Sequence, residues 1–185
     1  MKTLKYVDAL VGEIREALNS VDDERVEALA DRILSAPHIF VTGIGRSGLS
    51  SRAFAMRLMH MGFPVYIVGE IVTPSFKPGD LLIVCSGSGE TGSQALMAQK
   101  AKALGGAIAL VTIQPGSTIG AISDLEIHIK APTPKLGNCD ARSIQPMGSL
   151  FEQCTMLVLD LLIVKLMERT GIGVSEMIER HVNLE

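Results

Sequence analysis

Hydroxyl side chains and glycines are concentrated in residues 86–93, whose sequence is Ser-Gly-Ser-Gly-Glu-Thr-Gly-Ser. The segment follows an apolar run at 81–85, typical of a buried strand, and precedes a helical pattern. A strand, a loop of small residues and a helix start leave backbone N–H groups free to bind an anion. Taken alone, the loop is either a phosphate cradle or a turn without a ligand.

A second loop of this kind, at 43–48, follows the short β-favouring run at 39–42. Its spacing matches the G-x-G-x-x-G dinucleotide fingerprint, and Glu70 stands at the end of the next expected strand, as in such proteins. A dehydrogenase also needs a place for a second substrate, and 185 residues leave little beyond the sheet itself. Two Ser/Gly loops at the carboxyl ends of strands instead predict one shared anionic ligand.

Other catalytic templates are absent from the sequence. There is no G-x-x-x-x-G-K-[ST] sequence, no serine within G-x-S-x-G, and no H-x-x-x-H spacing among the four histidines. Glu152, in the stretch 145–153 at the expected start of a long helix, is the remaining acidic candidate. It is either a first-turn acid that complements the helix dipole, worth about 0.3–1 kcal/mol, or a base at the edge of the ligand cleft.

The composition predicts a single domain, residues 1–185, with an aliphatic core. Of these residues 47% are hydrophobic, 20% are charged and only 4% are aromatic. The net charge is −3 and no dense basic cluster is present, which argues against nucleic acid as a partner.

The cysteines and the apolar segments indicate the compartment. Cys85, Cys139 and Cys154 form an odd set without metal-ligand spacing, which favours reduced thiols in a cytoplasm. The N-terminus lacks the apolar core of a signal peptide, and charged residues interrupt the most apolar segment, 156–167, which is too short to span a bilayer. We therefore expect neither secretion nor membrane insertion.

Apolar periodicity predicts that strands and helices alternate along the chain. Two helices come first, and the expected strands are 39–42, 65–68, 81–85, 107–112 and 125–129, the last with one solvated face near a sheet edge. Further helices are expected over about 49–61, up to about 104, over 149–169 and near 175–180. This order implies an α/β fold, a three-layer αβα sandwich around a five-stranded parallel sheet with right-handed crossovers.

The first helix and the segment 131–148 have sequence patterns that suggest further roles. A narrow apolar stripe runs along the first helix and packs either on the domain's own core or on a partner subunit, which we favour: Leu4, Val7, Val11, Ile14, Leu18 and Val21. Residues 131–148 contain three prolines and two glycines, and so long a loop in a compact domain is more often functional or mobile than idle.

The chain resembles the sugar isomerase (SIS) domain family. The resemblance covers nearly the whole chain and is carried by the two loops at 43–48 and 86–93 and by the stretch at 145–153. The Met-rich segment 56–63, the Val-Gly-Glu at 68–70 and the tail 180–185 are similar to the 6-phospho-3-hexuloisomerase branch of that family. The resemblance implies a flavodoxin-like arrangement of the sheet.

The resemblance also implies roles for particular residues. It implies that the sugar phosphate is held by the following residues: Ser47, Ser86, Gly87, Ser88, Gly89, Glu90 and Thr91. It implies that Glu152 is the catalytic base. Related isomerases place a histidine from a neighbouring subunit at the site for ring opening, and His181 is the candidate for that role. Glu90 stays open between a second acid–base group and a first-turn helix residue.

The implied reaction interconverts a 3-keto and a 2-keto sugar phosphate, D-arabino-hex-3-ulose 6-phosphate and D-fructose 6-phosphate, through an enediol. No metal or cofactor is implied. The implied setting is the ribulose monophosphate pathway of formaldehyde fixation, with 3-hexulose-6-phosphate synthase as the pathway neighbour and a homotetramer as the assembly. The alternatives are another aldose–ketose isomerase of the arabinose 5-phosphate type and a non-catalytic phosphosugar-binding SIS module.

Overall fold

The computed structural model of the chain describes residues 2–132 and 143–184. Two helices, α1 (Lys2–Leu18) and α2 (Asp23–Ser35), precede the first strand. Asp22 caps α2, because its side chain accepts a hydrogen bond of 2.9 Å from the N–H of Glu24. The predicted start of the second helix is therefore confirmed.

Five parallel strands form one sheet in the order β2-β1-β3-β4-β5. They are β1 (Ile39–Gly43), β2 (Val65–Ile67), β3 (Leu81–Cys85), β4 (Ala107–Thr112) and β5 (Leu125–His128). The order reverses between β1 and β3, which is the flavodoxin-like arrangement with its ligand crevice at that point. β5 lies at the sheet edge with alternating buried and half-buried residues, as its sequence pattern predicts.

Helices cover both faces of the sheet, which confirms the three-layer architecture. The helices after β1 are α3 (Arg46–His60), α4 (Gly92–Ala103), α5 (Ser149–Thr170) and α6 (Val174–Glu179), with a 3-10 turn at Gly120–Ile122. One apolar cluster joins the sheet to α2, α3 and α5, and a second joins it to α4 and the 3-10 turn. The site-bearing helices α3 and α5 thus lie on the same face.

Helix α3 begins earlier than its apolar pattern predicts. The sequence indicates a start near Leu49, whereas the helix starts at Arg46. Gly48 lies inside its first turn because β1 passes very close there: a methyl carbon added at Gly48 would lie 2.6 Å from the carbonyl oxygen of Gly43. Gly48, which in the sequence suggests a loop, is therefore required for the packing of α3 on β1. Arg46 and Ser47 consequently lie within the helix.

Helix α1 packs on the core through only part of its apolar stripe. Ile14, Leu18 and Val21 contact the core cluster, whereas Leu4, Val7 and Val11 stay 45–49% exposed. The subunit contact predicted for this stripe stays a prediction. Of the long loop, residues 133–142, which include Cys139, lie outside the described residues. No helix in the described part of the chain is long and apolar enough to cross a membrane.

Candidate active site

A cleft of about 380 Å³ opens at the carboxyl ends of β1 and β3, where the two Ser/Gly loops meet. Its described lining is Ile44, Arg46, Ser47, Cys85, Ser86, Gly87, Ser88, Thr91, Gln94, Ile113, Met147, Gly148, Phe151 and Glu152. The predicted convergence of the two loops on one crevice is therefore found, and Glu152 lies in the same crevice.

Backbone carbonyls of the loop at 86–91 are fixed from behind by the following strand and its loop. The carbonyl of Gly87 accepts hydrogen bonds of 3.0 Å from the N–H of Ile113 and from the hydroxyl of Thr112. The carbonyl of Gly89 accepts one of 3.1 Å from the N–H of Ile119. With its carbonyls held on one side, the loop can present N–H groups and hydroxyls to an anion on the other.

Gly89 is required where this loop touches the segment after β4. Its φ is +63°, and an added methyl carbon would lie 1.9 Å from the Ser117 hydroxyl oxygen. Any L-residue at this position would both strain the backbone and displace Ser117. Close approach to Ser117 is therefore a structural reason for glycine at this position.

Glu90 turns away from the cleft and holds the segment after β4. Its carboxylate accepts hydrogen bonds from the N–H and the hydroxyl of Thr118, at 2.8 and 2.5 Å. These two bonds lower the pKa of Glu90 from its ordinary value. Neither Glu90 nor Gly89 is among the described residues that line the cleft.

Arg46 and Glu152 form an ion pair across the cleft, from the first turn of α3 to the first turn of α5. Arg46 Nε donates to Glu152 Oε2, while the Glu152 side chain is only 20% exposed. The hydroxyl of Ser50 also donates to the Glu152 carbonyl oxygen, at 3.2 Å, and so ties α5 to α3. Arg46 was not among the site residues predicted from the sequence, although a cationic residue inside an anion-type loop was the signal available.

His181 lies at the opposite end of α3 from the cleft. Its ring stacks on that of buried His60, with a centroid distance of 5.2 Å. The Arg180 guanidinium donates to the His60 carbonyl oxygen at 3.2 Å. Helix α3 has 15 residues, so roughly 20 Å of helix separates His181 from Arg46 in the same chain. The structure thus does not bring His181 into its own chain's cleft, and a role in a neighbouring subunit's cleft stays a prediction.

Cys85 is the thiol in the cleft wall. Burial raises its pKa to about 12, so the thiol stays protonated at neutral pH and is not a nucleophile. Within residues 2–132 and 143–184, no group of three histidine, cysteine or acidic side chains could hold a metal ion.

Comparison with known proteins places the chain in a family. Residues 32–157 match the SIS domain model, and the chain belongs to the SIS domain family. It is 48% identical to the 3-hexulose-6-phosphate isomerase of Bacillus subtilis, over all 185 residues of both chains. It is 39% identical over 173 residues to the protein of that name from Mycobacterium gastri, covering 94% of this chain and 86% of the relative.

A solved structure agrees with these relatives. The crystal structure of a protein from Methanococcus jannaschii superposes on this chain with a TM-score of 0.84. A molecular function of 3-hexulose-6-phosphate isomerase has been inferred for that protein from its structure. It is 38% identical, and the match covers 98% of this chain and 99% of that one. The resemblance stated from the sequence is therefore confirmed at the level of the family and of the branch that these relatives represent.

Proposed function

We propose that the chain is an isomerase that interconverts D-arabino-hex-3-ulose 6-phosphate and D-fructose 6-phosphate through an enediol. The observation that carries this proposal is that the Arg46–Glu152 pair and both Ser/Gly loops line a single cleft. Full-length identity of 48% to a relative with the name of this enzyme supports it. The cleft offers an anion site at one end and a carboxylate at the other.

The phosphate binds, in this proposal, at the loop end of the cleft. Hydroxyls of Ser47, Ser86, Ser88 and Thr91 and the N–H of Gly87 surround it, whereas Gly89 and Glu90 set the shape of the loop. The N-terminus of α4, which follows directly, adds its positive dipole end. Holding the phosphate there orients the carbon chain toward Glu152.

Glu152 is the base that moves the proton between adjacent carbons. From fructose 6-phosphate, its carboxylate removes the proton on carbon 3, a carbon 2–carbon 3 double bond forms, and the carbon 2 oxygen takes the negative charge. The proton then returns at carbon 2, the carbon 3 oxygen becomes the carbonyl, and the proton of the carbon 3 hydroxyl passes to the carbon 2 oxygen, which ends as the product hydroxyl. Positioned acid–base groups contribute about 10²–10⁴ in rate. No step needs a metal or an organic cofactor, and we propose none.

Arg46 stabilises the charge that develops on the enediolate oxygens. Its guanidinium has five N–H donors, of which the Nε–H is directed to Glu152, and its side chain is 61% exposed toward the cleft and solvent. A cation placed beside the base can thus hold the carboxylate in position and donate to the substrate oxygen. This role adds Arg46 to the residues that the resemblance implies.

His181 is proposed to act in ring opening at the cleft of a neighbouring subunit, since its own cleft is out of reach. Exposed apolar residues on two neighbouring helices support a homo-oligomer, which we propose to be a tetramer: Leu4, Val7 and Val11 on α1, and Leu157, Leu161 and Val164 on α5. We further propose that residues 1–185 form one SIS domain.

The cellular setting follows from the reaction. We propose that the enzyme works in the cytoplasm, in the ribulose monophosphate pathway of formaldehyde fixation, where 3-hexulose-6-phosphate synthase supplies its substrate. Cys85 and Cys154 are free thiols, which agrees with a reducing compartment.

Incubation of the chain with fructose 6-phosphate in D₂O, followed by NMR, tests the proposed reaction. Deuterium at carbon 3 is the expected result. Deuterium only at carbon 1 would indicate an aldose–ketose isomerase of the arabinose 5-phosphate type, and no deuterium together with no 3-hexulose product would indicate a phosphosugar-binding module without catalysis. Glu152→Gln is the control, because it should bind the sugar phosphate without exchanging its protons.

A further inference from the structure

Met147 has an unusual backbone conformation at the edge of the cleft. Its φ is +57°, and it is the one residue other than glycine with positive φ in the described part of the chain. Met147 is one of the residues that line the cleft, and it is 61% exposed. A left-handed conformation costs an unbranched L-residue free energy, so the surrounding structure must impose it.

Contacts on both sides of Met147 impose this conformation. On one side, the carboxylate of Glu13 on α1 accepts hydrogen bonds from the Ser143 hydroxyl at 2.6 Å and from the Ile144 N–H at 2.8 Å. On the other side, α5 begins at Ser149, whose N–H donates to the Pro146 carbonyl oxygen at 3.1 Å. The chain between these two anchors has to turn through Met147.

The anchor at Glu13 is a charged one. Burial acts to raise the pKa of Glu13, but the bonds from Ser143, Ile144 and Gln145 outweigh it and hold the pKa below its ordinary value. At neutral pH the carboxylate is ionised and the three donors stay attached to α1.

Met147 lies at the end of the cleft where the proton is transferred. It precedes Gly148, at which an added methyl carbon would lie 3.5 Å from Glu152 Oε1. Met147 therefore adds an apolar residue to the cleft lining next to Gly148 and the Glu152 carboxylate. Ile44 and Ile113 are the other aliphatic residues of the lining.

We propose that Met147 is a water shield for the proton transfer, kept over the cleft by its left-handed backbone. This role rests on the proposed function and deepens it. While Glu152 carries the proton between carbon 3 and carbon 2, exchange of that proton with bulk water competes with its return to the sugar. An apolar side chain beside the carboxylate slows the exchange and leaves the protein's own groups to stabilise the enediolate.

The retained fraction of the migrating proton measures the shield directly. Fructose 6-phosphate with protium at carbon 3 is converted in D₂O, and the first-formed 3-hexulose product is analysed for protium or deuterium at carbon 2. In Met147→Gly we expect the protium fraction to fall at least about threefold and kcat to fall on the order of tenfold, with a smaller change in KM. Met147→Leu, which keeps an apolar side chain, should retain most of the protium.

Two comparisons separate the shield from a general loss of structure. Met147→Gly should unfold at a temperature roughly 2–4 °C above that of Met147→Ala, because both lack the thioether and only alanine keeps the strained backbone. Leu96→Ala removes an exposed apolar side chain of α4 outside the cleft and should leave the retained fraction unchanged.

Several results would overturn the shield. Complete exchange with solvent in the wild type would do so, and so would a retained fraction that is equal in the wild type and Met147→Gly. A wild type that forms no 3-hexulose and exchanges no proton at carbon 3 would instead refute the proposed reaction. In that case an equal unfolding temperature for Met147→Gly and Met147→Ala would still contradict the imposed strain.

Discussion

The two ends of the cleft are constructed differently. At the proposed phosphate end, residues of the loop at 86–91 form the surface, and hydrogen bonds from Thr112, Ile113 and Ile119 hold two carbonyls of this loop in place. At the other end, two side chains from different helices, Arg46 and Glu152, meet across 106 positions of sequence. The first end of the cleft is formed by one loop and the residues that hydrogen-bond to it. The second end, with Arg46 and Glu152, forms only when α3 and α5 pack together.

This difference predicts different responses to mutation. In the proposed phosphate site several N–H groups and hydroxyls contribute to binding, so the loss of one hydroxyl should weaken binding without abolishing turnover. At the Glu152 end we propose that a single carboxylate transfers the proton, so its loss should remove the reaction. Substitutions at the two ends should therefore separate into effects on KM and effects on kcat.

Replacement of Glu152 should have the largest effect. Glu152→Gln keeps the shape and removes the base, and we expect kcat to fall about 10²–10⁴-fold with little change in KM. Steady-state kinetics with fructose 6-phosphate, together with calorimetric titration of the same sugar, provide the measurement. A Gln variant that turns over at the wild-type rate contradicts the assignment of the base.

Arg46→Gln should have the next largest effect, on the same parameter. It removes the cation beside the base, and we expect a loss of about 10²-fold in kcat, the scale found when one oxyanion donor is removed. Because Arg46 and Glu152 act as a unit, the double variant with Glu152→Gln should be hardly slower than Glu152→Gln alone. Multiplicative losses in the double variant would show that the two residues act independently.

The same contrast explains which parts of the structure could be predicted from sequence. β3 and β4 were predicted with the bounds that the structure shows, because a buried parallel strand is a continuous apolar run between breakers. The two Ser/Gly loops were placed correctly at strand ends for the same reason. The strands and loops depend on residues that are close together in the sequence, so a short stretch of sequence is enough to predict them.

Other features depend on contacts between distant segments and have no local signal. The start of α3 was predicted too late because Gly48 resembles a turn residue until its packing on Gly43 is known. The partners of Glu152 and Glu90, which are Arg46 and Thr118, come from other elements of the fold. The left-handed backbone of Met147 likewise follows from an anchor on α1.

Gly89→Ala tests the support of the phosphate loop. The added methyl group meets Ser117 and the positive φ is strained, so we expect a loss of roughly 1–3 kcal/mol in unfolding free energy, with a higher KM. Gly92→Ala is a matched control in the same segment, because an added methyl group there meets no atom within 4 Å. Denaturant unfolding of both variants gives the comparison, and equal stability would contradict the role of the Gly89–Ser117 contact. Removal of the Ser117 side chain in the Gly89→Ala background should restore part of the loss.

Ser88→Ala should change binding and leave chemistry nearly intact. The Ser88 hydroxyl lines the cleft, and a hydrogen bond to a charged group is worth about 1.5–3 kcal/mol, so KM should rise at least roughly tenfold. Ser93 is exposed and is not among the described residues that line the cleft, so Ser93→Ala should leave KM unchanged. A fall in kcat alone for Ser88→Ala would move this residue from the binding end to the catalytic end.

Glu90→Gln should have the smallest effect, and it decides the role that the sequence left open. A glutamine amide can still accept a bond from the Thr118 N–H, so activity at neutral pH should stay within about tenfold of the wild type, whereas loss of a second acid–base group would remove about 10²–10⁴. The pKa of Glu90 is lower in the folded chain than in the unfolded chain. Ionised Glu90 therefore stabilises the fold at pH values above the ordinary glutamate pKa of about 4.3. This stabilisation is lost as the pH falls from about 4.3 through the pKa of Glu90 in the folded chain. Thermal unfolding between about pH 6 and pH 3 should therefore decline less steeply in Glu90→Gln than in the wild type. If the two curves are parallel and the variant is inactive, Glu90 belongs to the chemistry and not to the support of the loop.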